Sequence, residues 1–461
     1  MATKLPNEIL VEIISLAANI GPFRDNIAPC RGQLFTLMLV CHQWRIVAES
    51  LLYHKLVVGK ELYEYLIEEH RDIHGSGKSD RCLIRSLKEN PELGRHTRIL
   101  EIHPRENDAA QLARQIDLVR QCSGTNEPIL RLHRVLKPLP LLEEIPKLSL
   151  RKVTLSSVGA GISANAIFEF FDSPTLERMN ILRLGYNIHG NWEPYAEWNQ
   201  GVPSAQDLDH LLPPHRWRTS SLKILSLQHS IAHPHVIGRL LLWPALLEEF
   251  RFTYIDQTEF QDDYSLTEIE GFLHLHRDSL KRIQLGNLPE YGIPDFSLFS
   301  HLEQLWLFLY DLMKENTSSA CRKLAAPNLR RLVIDCSHEN HYPDGDCDFG
   351  PHHLKWLKEF LSDLGSSDPS HNLKTVHVYF KPLCRWNTEG PFRRWPGELL
   401  QEAAETASSY GISLTYSKPI MRKDEWYFRV GIIPDNRKKR MMTSAECFFG
   451  FEYSMGLTQW E

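Results

Sequence analysis

One short pattern, L-x-x-L-x-L with aliphatic or aromatic substitutes, recurs through the second two-thirds of this 461-residue chain, and it limits the possible folds more than any other feature. It runs as LRKVTL from Leu150, MNILRL from Met179, LKILSL from Leu222, LEEFRF from Leu247, LKRIQL from Leu280, LEQLWL from Leu302, LRRLVI from Leu329 and LKTVHV from Leu373. TRILEI at Thr97–Ile102 and ISLTY at Ile412–Tyr416 are related. In each unit the alternating apolar pair reads as a short strand with one face buried. One strand and one returning helix cannot bury that face alone, so the units are expected to stack into a parallel sheet with a continuous core. The segments between support this: HVIGRLLLWPALL, YSLTEIEGFLHLHRDSL and HHLKWLKEFLSDLG have helical periodicity, and SPTLER, APNLRR and SHNLKT carry turn residues ahead of the next strand.

These units resemble leucine-rich repeats. From Leu222 to Leu373 their starts are 22 to 44 residues apart, where regular repeats run ~20–29, so several units carry insertions. Only Met179–Asn187 has the family's asparagine at the ninth position, so the curvature is left open, and a generic α/β domain with leucine-rich strands is the alternative. Ahead of the units, residues 57–140 read as mixed helices: KELYEYLIEEH, CLIRSLKEN and AAQLARQIDLVRQC, with one strand near Arg98–Ile102. They are assigned as a linker and N-terminal cap, the repeats as 141–416. The tail, 417–461, holds the basic run Arg437–Arg440 and the stretch CFFGFEY; it is expected to cap the last unit, the basic run being solvated surface or a nuclear signal.

The N-terminus reads separately. Pro6 suits the first turn of a helix. Ile9, Leu10, Ile13, Leu16 and Ala17 then share one stripe at helical spacing, opposite Glu8, Glu12, Ser15 and Asn19. LFTLMLVCHQW leads into a third helix carrying Val40, Trp44, Val47, Ala48 and Leu51. Three short helices in about 50 residues bury little of themselves, so some apolar surface is expected to await a partner. LPNEIL followed by LVCHQW resembles the F-box motif, which runs from a Leu-Pro, acidic-aliphatic start to a Val-Cys-x-x-Trp end. The resemblance covers about Leu5 to Leu56, and the F-box is assigned to residues 1–56. It implies a three-helix fold docking on the Skp-type adaptor of a cullin–RING ubiquitin ligase through Leu5, Pro6, Ile9, Leu10, Ile13, Leu39, Val40, Cys41 and Trp44. Cys41 is read as a small buried hydrophobe. The stretch between the first two helices, about Asn19 to Gly32, is longer than is usual for the motif. The alternative is a helical subdomain packed on the rest of the chain. The expected fold class is therefore α/β: a short all-α F-box, then an irregular solenoid with a parallel sheet and outer helices.

Composition excludes several function classes. With 58 acidic against 52 basic side chains the net charge is −6, so no global positive field recruits nucleic acid or an anionic membrane. Glu8 and Glu12 interrupt the N-terminal apolar stretch, against a signal peptide, and no run approaches the ~18 apolar residues of a membrane span. Nine scattered cysteines without a CxxC pair suit reduced thiols in the cytoplasm or nucleus. The sequon at Asn316 is then unused. HGSGKS at His74–Ser79 lacks the first glycine of a phosphate loop, Asp72 standing there, and is read as a flexible linker. DGDCDFG at Asp344–Gly350 has Phe349 and Lys355 where a calcium loop needs Gly and Glu. Cys336, His338, His341, Cys347, His352 and His353 are zinc-ligand types at no standard zinc spacing. No G-x-S-x-G or H-E-x-x-H is present.

The expected function is a non-catalytic substrate receptor of an SCF-type ligase needing no cofactor. It would raise the effective concentration of a target lysine beside activated ubiquitin. The rivals are a repeat scaffold not linked to a cullin and an enzyme using a metal at Cys336–His353. Outward-facing positions place the target site: the unit from Leu302 presents Gln304, Trp306 and Phe308, flanked by Arg282 and Arg331, with Arg251 one unit earlier. Aromatics flanked by arginines have the composition of a binding hot spot. The alternative is that an insertion or the tail covers Trp306 and Phe308 as a second small core.

Overall fold

The computed structural model describes residues 6–17, 31–58, 76–103, 109–122, 124–133, 149–158, 173–184, 212–230, 234–254, 265–286, 292–336, 349–367, 372–380 and 395–417. Single positions at 162, 167, 170, 232 and 288 are also described. Twelve strands form one sheet in chain order, β1 to β12, parallel in every pairing described. The chain divides into two compact units, one built mainly from residues before Asn180 and one mainly from residues after it.

The first unit opens with three helices: α1 (Asn7–Ala17), α2 (Arg31–Met38) and α3 (His42–His54). Leu10, Ile14, Leu34, Val47, Ala48 and Leu52 form their common core. Each of the five leucine, isoleucine and valine side chains among them contributes about 1.5–3 kcal/mol by leaving water. The last residue of α3 passes straight into β1 (Lys55–Val58), Lys55 being already extended. β1 pairs with β2 (Ile99–Ile102), β2 with β3 (Glu127–His133), and β3 with β4 (Lys152–Val158). Helices α4 (Ser76–Glu89) and α5 (Ala109–Gln121) return the chain between strands. The sheet thus starts at Lys55, well before the 141 boundary read from the repeats. β1 and β3 lack the full six-residue pattern, and only their pairing makes them part of the sheet. Ser76–Ser79, read as linker, begin α4. The stretch 60–70, the tail from 418 and residues 337–348 lie outside the described residues.

β5 (Arg178–Leu182) falls at the division between units. The second unit carries β6 (Ile224–Ser230), β7 (Glu249–Tyr254), β8 (Arg282–Gly286), β9 (Gln304–Phe308), β10 (Arg331–Asp335), β11 (Thr375–Tyr379) and β12 (Ser413–Tyr416). Its helices are α6 (Pro234–Leu242), α7 (Leu266–His274), α8 (Leu309–Met313), α9 (Thr317–Lys323), α10 (Pro351–Ser367) and α11 (Pro396–Ser409). The repeated pattern becomes a ladder: Leu225, Phe250, Ile283, Leu305, Leu332, Val376 and Leu414 stand side by side across seven strands. Leu225, Leu285, Leu305, Leu307 and Leu332 are wholly buried. Local chemistry sets the helix starts. Ser265 and Glu268 form a reciprocal capping box on α7, and Asn316 accepts the Ser319 N–H at 2.7 Å on α9.

A hydrogen-bond ladder runs through the lead-in turns instead of the missing ninth-position asparagines. The residue just before a lead-in leucine (Leu176, three residues ahead of the Met179 start, and Leu280, Leu329 and Leu373) donates to a backbone carbonyl of the preceding unit. Thr175 reaches Leu150 O at 2.7 Å, Ser279 reaches Leu247 O at 2.7 Å, Asn328 reaches Ser300 O at 2.5 Å, and Asn372 reaches Pro327 O at 2.5 Å. The turn residues of SPTLER, APNLRR and SHNLKT thus tie neighbouring units together where backbone carbonyls would otherwise lack donors.

Candidate functional site

The three-helix module leaves an open apolar face. Twelve large hydrophobic side chains are exposed among the described residues, and seven of them are here: Ile9, Val11, Ile13, Phe35, Leu39, Val40 and Ile46. Such clustering marks an interaction surface, because scattered exposed apolar residues are ordinary and a concentrated patch is not. Leu39 and Val40, at 86% and 58% exposure, sit in the turn between α2 and α3. Ile9 and Ile13 are open on α1 at 44% and 38%. Pro6 is exposed, and its carbonyl accepts the Leu10 N–H at 3.1 Å, starting α1.

Three residues of the expected set differ in placement. Leu10 is wholly buried, because α1 turns Leu10 and Ile14 into the module's own core. Trp44 is partly buried against that core. Cys41 is exposed rather than buried: its extended backbone at the start of α3 turns the side chain out of the core. Leu5 lies outside the described residues. Val11, Phe35 and Ile46 were not anticipated. Phe35 and Ile46 lay inside apolar runs, and only the packing of three helices separates their inner from their outer members.

The second candidate surface is the outward face of β6–β12. Along β9, Leu305 and Leu307 point into the core while Gln304, Trp306 and Phe308 are half-buried on the other face, as strand alternation requires. The Trp306 indole N–H donates to Asp335 at 3.0 Å, and the ring lies 5.6 Å from that of Tyr379. The Phe308 ring packs against Gly286, where a Cβ would stand 1.8 Å from the phenyl ring; only glycine leaves room. His377 joins Thr415 Oγ1 at 2.8 Å and Ser417 Oγ at 3.3 Å. Burial, and then the Arg331 charge, hold its pKa below the usual histidine range.

The arginines are not equivalent. Arg251, expected to be open, is buried at 7%, its guanidinium paired with Glu249. Arg282 reaches the other oxygen of Glu249 at 2.7 Å while staying 42% exposed, so the buried carboxylate is held from both sides. Alternation puts Glu249 and Arg251 on one face of the same strand, but it does not show that Arg282 of the neighbouring strand closes over the pair. Arg331 is exposed and makes no ion pair with a carboxylate among the described residues. Three side-chain atoms on this face are buried without a hydrogen-bond partner: Ser226 Oγ, Gln284 Oε1 and Gln304 Nε2.

The third candidate, the cysteine–histidine cluster, is described only at its ends. Cys336 is buried, and burial with the Asp335 charge pushes its thiol well above the usual range. His353 Nδ1 accepts the Gly350 N–H at 2.9 Å. Among the described residues no group of three or more His, Cys, Asp or Glu is placed to hold a metal, and no helix is long and apolar enough to cross a membrane.

A helical module with an open apolar face, followed by stacked strand–helix units, is the architecture of a leucine-rich-repeat-like interaction protein. Residues 2–58 match the F-box-like family model, so the chain carries an F-box-like domain ahead of its repeat sheet. No curated protein matches the chain. Among solved structures a similar chain comes from the "Crystal structure of Rad7 and Elc1 complex in yeast", at 13% identity, covering 77% of this chain and 94% of that one. Its TM-score of 0.28 carries nothing about what this chain binds.

Proposed function

We propose that this chain is a non-catalytic substrate adaptor of a cullin-type ubiquitin ligase. Its helical module docks on a Skp-type adaptor, and the outward face of its strands holds a target protein. The observation that carries the reading is the concentration of exposed apolar side chains in residues 9–46, within the segment that matches the F-box-like family. On this reading Pro6, Ile9, Ile13, Leu39, Val40 and Cys41 form the docking face with Leu5, and Trp44 buttresses it from the core side. The target face uses Arg282, Gln304, Trp306, Phe308 and Arg331, with Arg251 holding Glu249 beneath. The work takes place in the cytoplasm or nucleus; the five described cysteines are free thiols, as a reducing compartment keeps them.

Affinity purification of the full chain tests the proposal. Wild-type protein should recover the Skp-type adaptor and a cullin, and Leu39→Asp with Val40→Asp should lose both together. Recovery of the adaptor without a cullin would favour a scaffold outside the ligase. Equal recovery by the double variant would refute docking through this face.

A further inference from the structure

We infer that Arg282, Gln304 and Arg331 form a receptor for a carboxylate side chain in an acidic peptide segment of the target. The inference rests on the reading of the sheet face as the target site. The register places the three in one row: Arg282 stands opposite Gln304 on the neighbouring strand, and Gln304 opposite Arg331 on the next. Neighbouring strands lie about 4.8 Å apart, so the two arginines flank the glutamine within roughly 10 Å, a span that two arginine side chains can close on one group. All three side chains are hydrogen-bond donors toward an incoming anion; the next member of the row, Glu249 opposite Arg282, is buried and already held by Arg251 and Arg282.

The charges around the row leave it positive. Three guanidinium groups, those of Arg251, Arg282 and Arg331, stand against two carboxylates: Glu249, which Arg251 and Arg282 share, and Asp335, which accepts the neutral Trp306 N–H. Arg331 has no carboxylate partner among the described residues. His377, next along the face, is held toward its neutral form. The remaining charge is complementary to an acidic group.

The unpartnered atoms say what kind of anion. Gln304 Nε2 is a buried donor lacking an acceptor, and Gln284 Oε1, one strand away, is a buried acceptor lacking a donor. An unmet buried polar atom is costly, which favours a partner that meets it. A peptide brings both halves, a carboxylate for the donors and a backbone N–H for Gln284; an inorganic anion brings only the first. The broad terminal torsion of glutamine lets either amide turn toward such a partner.

Gln304→Glu tests the inference in the full chain without any ligand, by placing a carboxylate between the two arginines. It should raise the melting temperature by about 1–3 °C, whereas Gln304→Lys should lower it. A Glu variant melting at or below wild type would overturn the inference. The second arm pans a phage-displayed random dodecapeptide library against wild type, Arg331→Gln, Gln304→Glu, Trp306→Ala and the conservative Trp306→Phe. Wild type should enrich Asp- and Glu-containing peptides, and both Arg331→Gln and Gln304→Glu should lose them at least about tenfold. Peptides that need Trp306 but ignore Arg331 would overturn the carboxylate receptor and leave the face as the target site. Capture indifferent to every one of these variants would overturn the face as well.

Discussion

Truncating Leu39 and Val40 together to alanine should separate docking from folding. At 86% and 58% exposure, these side chains contribute little to the module's own core. Full burial of a leucine or valine is worth about 1.5–3 kcal/mol; scaled by exposure and allowing for the retained Cβ, the pair supplies about 2–3 kcal/mol to a partner that covers it. That is a loss of about 30- to 150-fold in affinity. Calorimetry with purified Skp-type adaptor reads the affinity, and a thermal melt of the free chain should stay near wild type, as for other surface substitutions. Leu10→Ala is the control with the opposite signature. Its side chain is wholly buried, and losing it should cost about 2–5 kcal/mol of module stability. A double variant that weakens adaptor binding by less than about threefold would refute docking through the α2–α3 turn.

Three further outcomes are expected. Leu225→Ala, Leu285→Ala and Leu332→Ala, each at a wholly buried position, should cost about 2–5 kcal/mol apiece; hydrogen exchange should then show neighbouring strands loosening before distant ones, and uniform loosening would contradict stacked units. Gly286→Ala should drive the Phe308 ring out of place, and its cost should vanish in a Phe308→Ala background; a double-mutant cycle without coupling would contradict the contact. His276 is buried, and its Nε2 lies 2.6 Å from Leu241 O, so Nε2 donates. Burial and, less strongly, the Arg218 charge lower its pKa, against the opposing pull of that hydrogen bond. The unfolded chain therefore binds the proton first: stability is full above about 6.5 and falls as pH drops toward the folded pKa. Denaturant titrations should show wild type losing more stability than His276→Gln below that pH, and parallel profiles would contradict the assignment.

The strands of the second unit were legible because L-x-x-L-x-L names both the strand and its buried face; Leu305 and Leu307 go inward as the alternation requires. The same rule put Arg251 on the outward face but did not reveal its burial: it pairs with Glu249 two residues back on the same strand, and Arg282 joins that carboxylate only once the register is set. β3 was missed although Asn126 and Pro128 punctuate it, since its short apolar alternation falls outside the six-residue pattern. On α1 the period gave a stripe containing Ile9, Leu10 and Ile13, and it could not tell that Leu10 serves the module while Ile9 and Ile13 stay open. One helical position, 100° of rotation, separates a residue that folds the module from one that is left for a partner.

The passage from His54 at the end of α3 to Lys55 at the start of β1 leaves no loop between docking module and first strand. His54 O is already engaged by the Arg98 N–H at 2.9 Å, and Lys55 is in register with Ile99. The junction is a weld and not a swivel. A protein joined there by a flexible tether would let its module sample many directions, each for a small fraction of the time. This one hands the orientation of α3 directly to the first strands, so whatever grips the module also fixes the heading of the sheet's beginning. Lengthening the backbone between His54 and Lys55 would therefore free α3 from the register that Lys55 shares with Ile99.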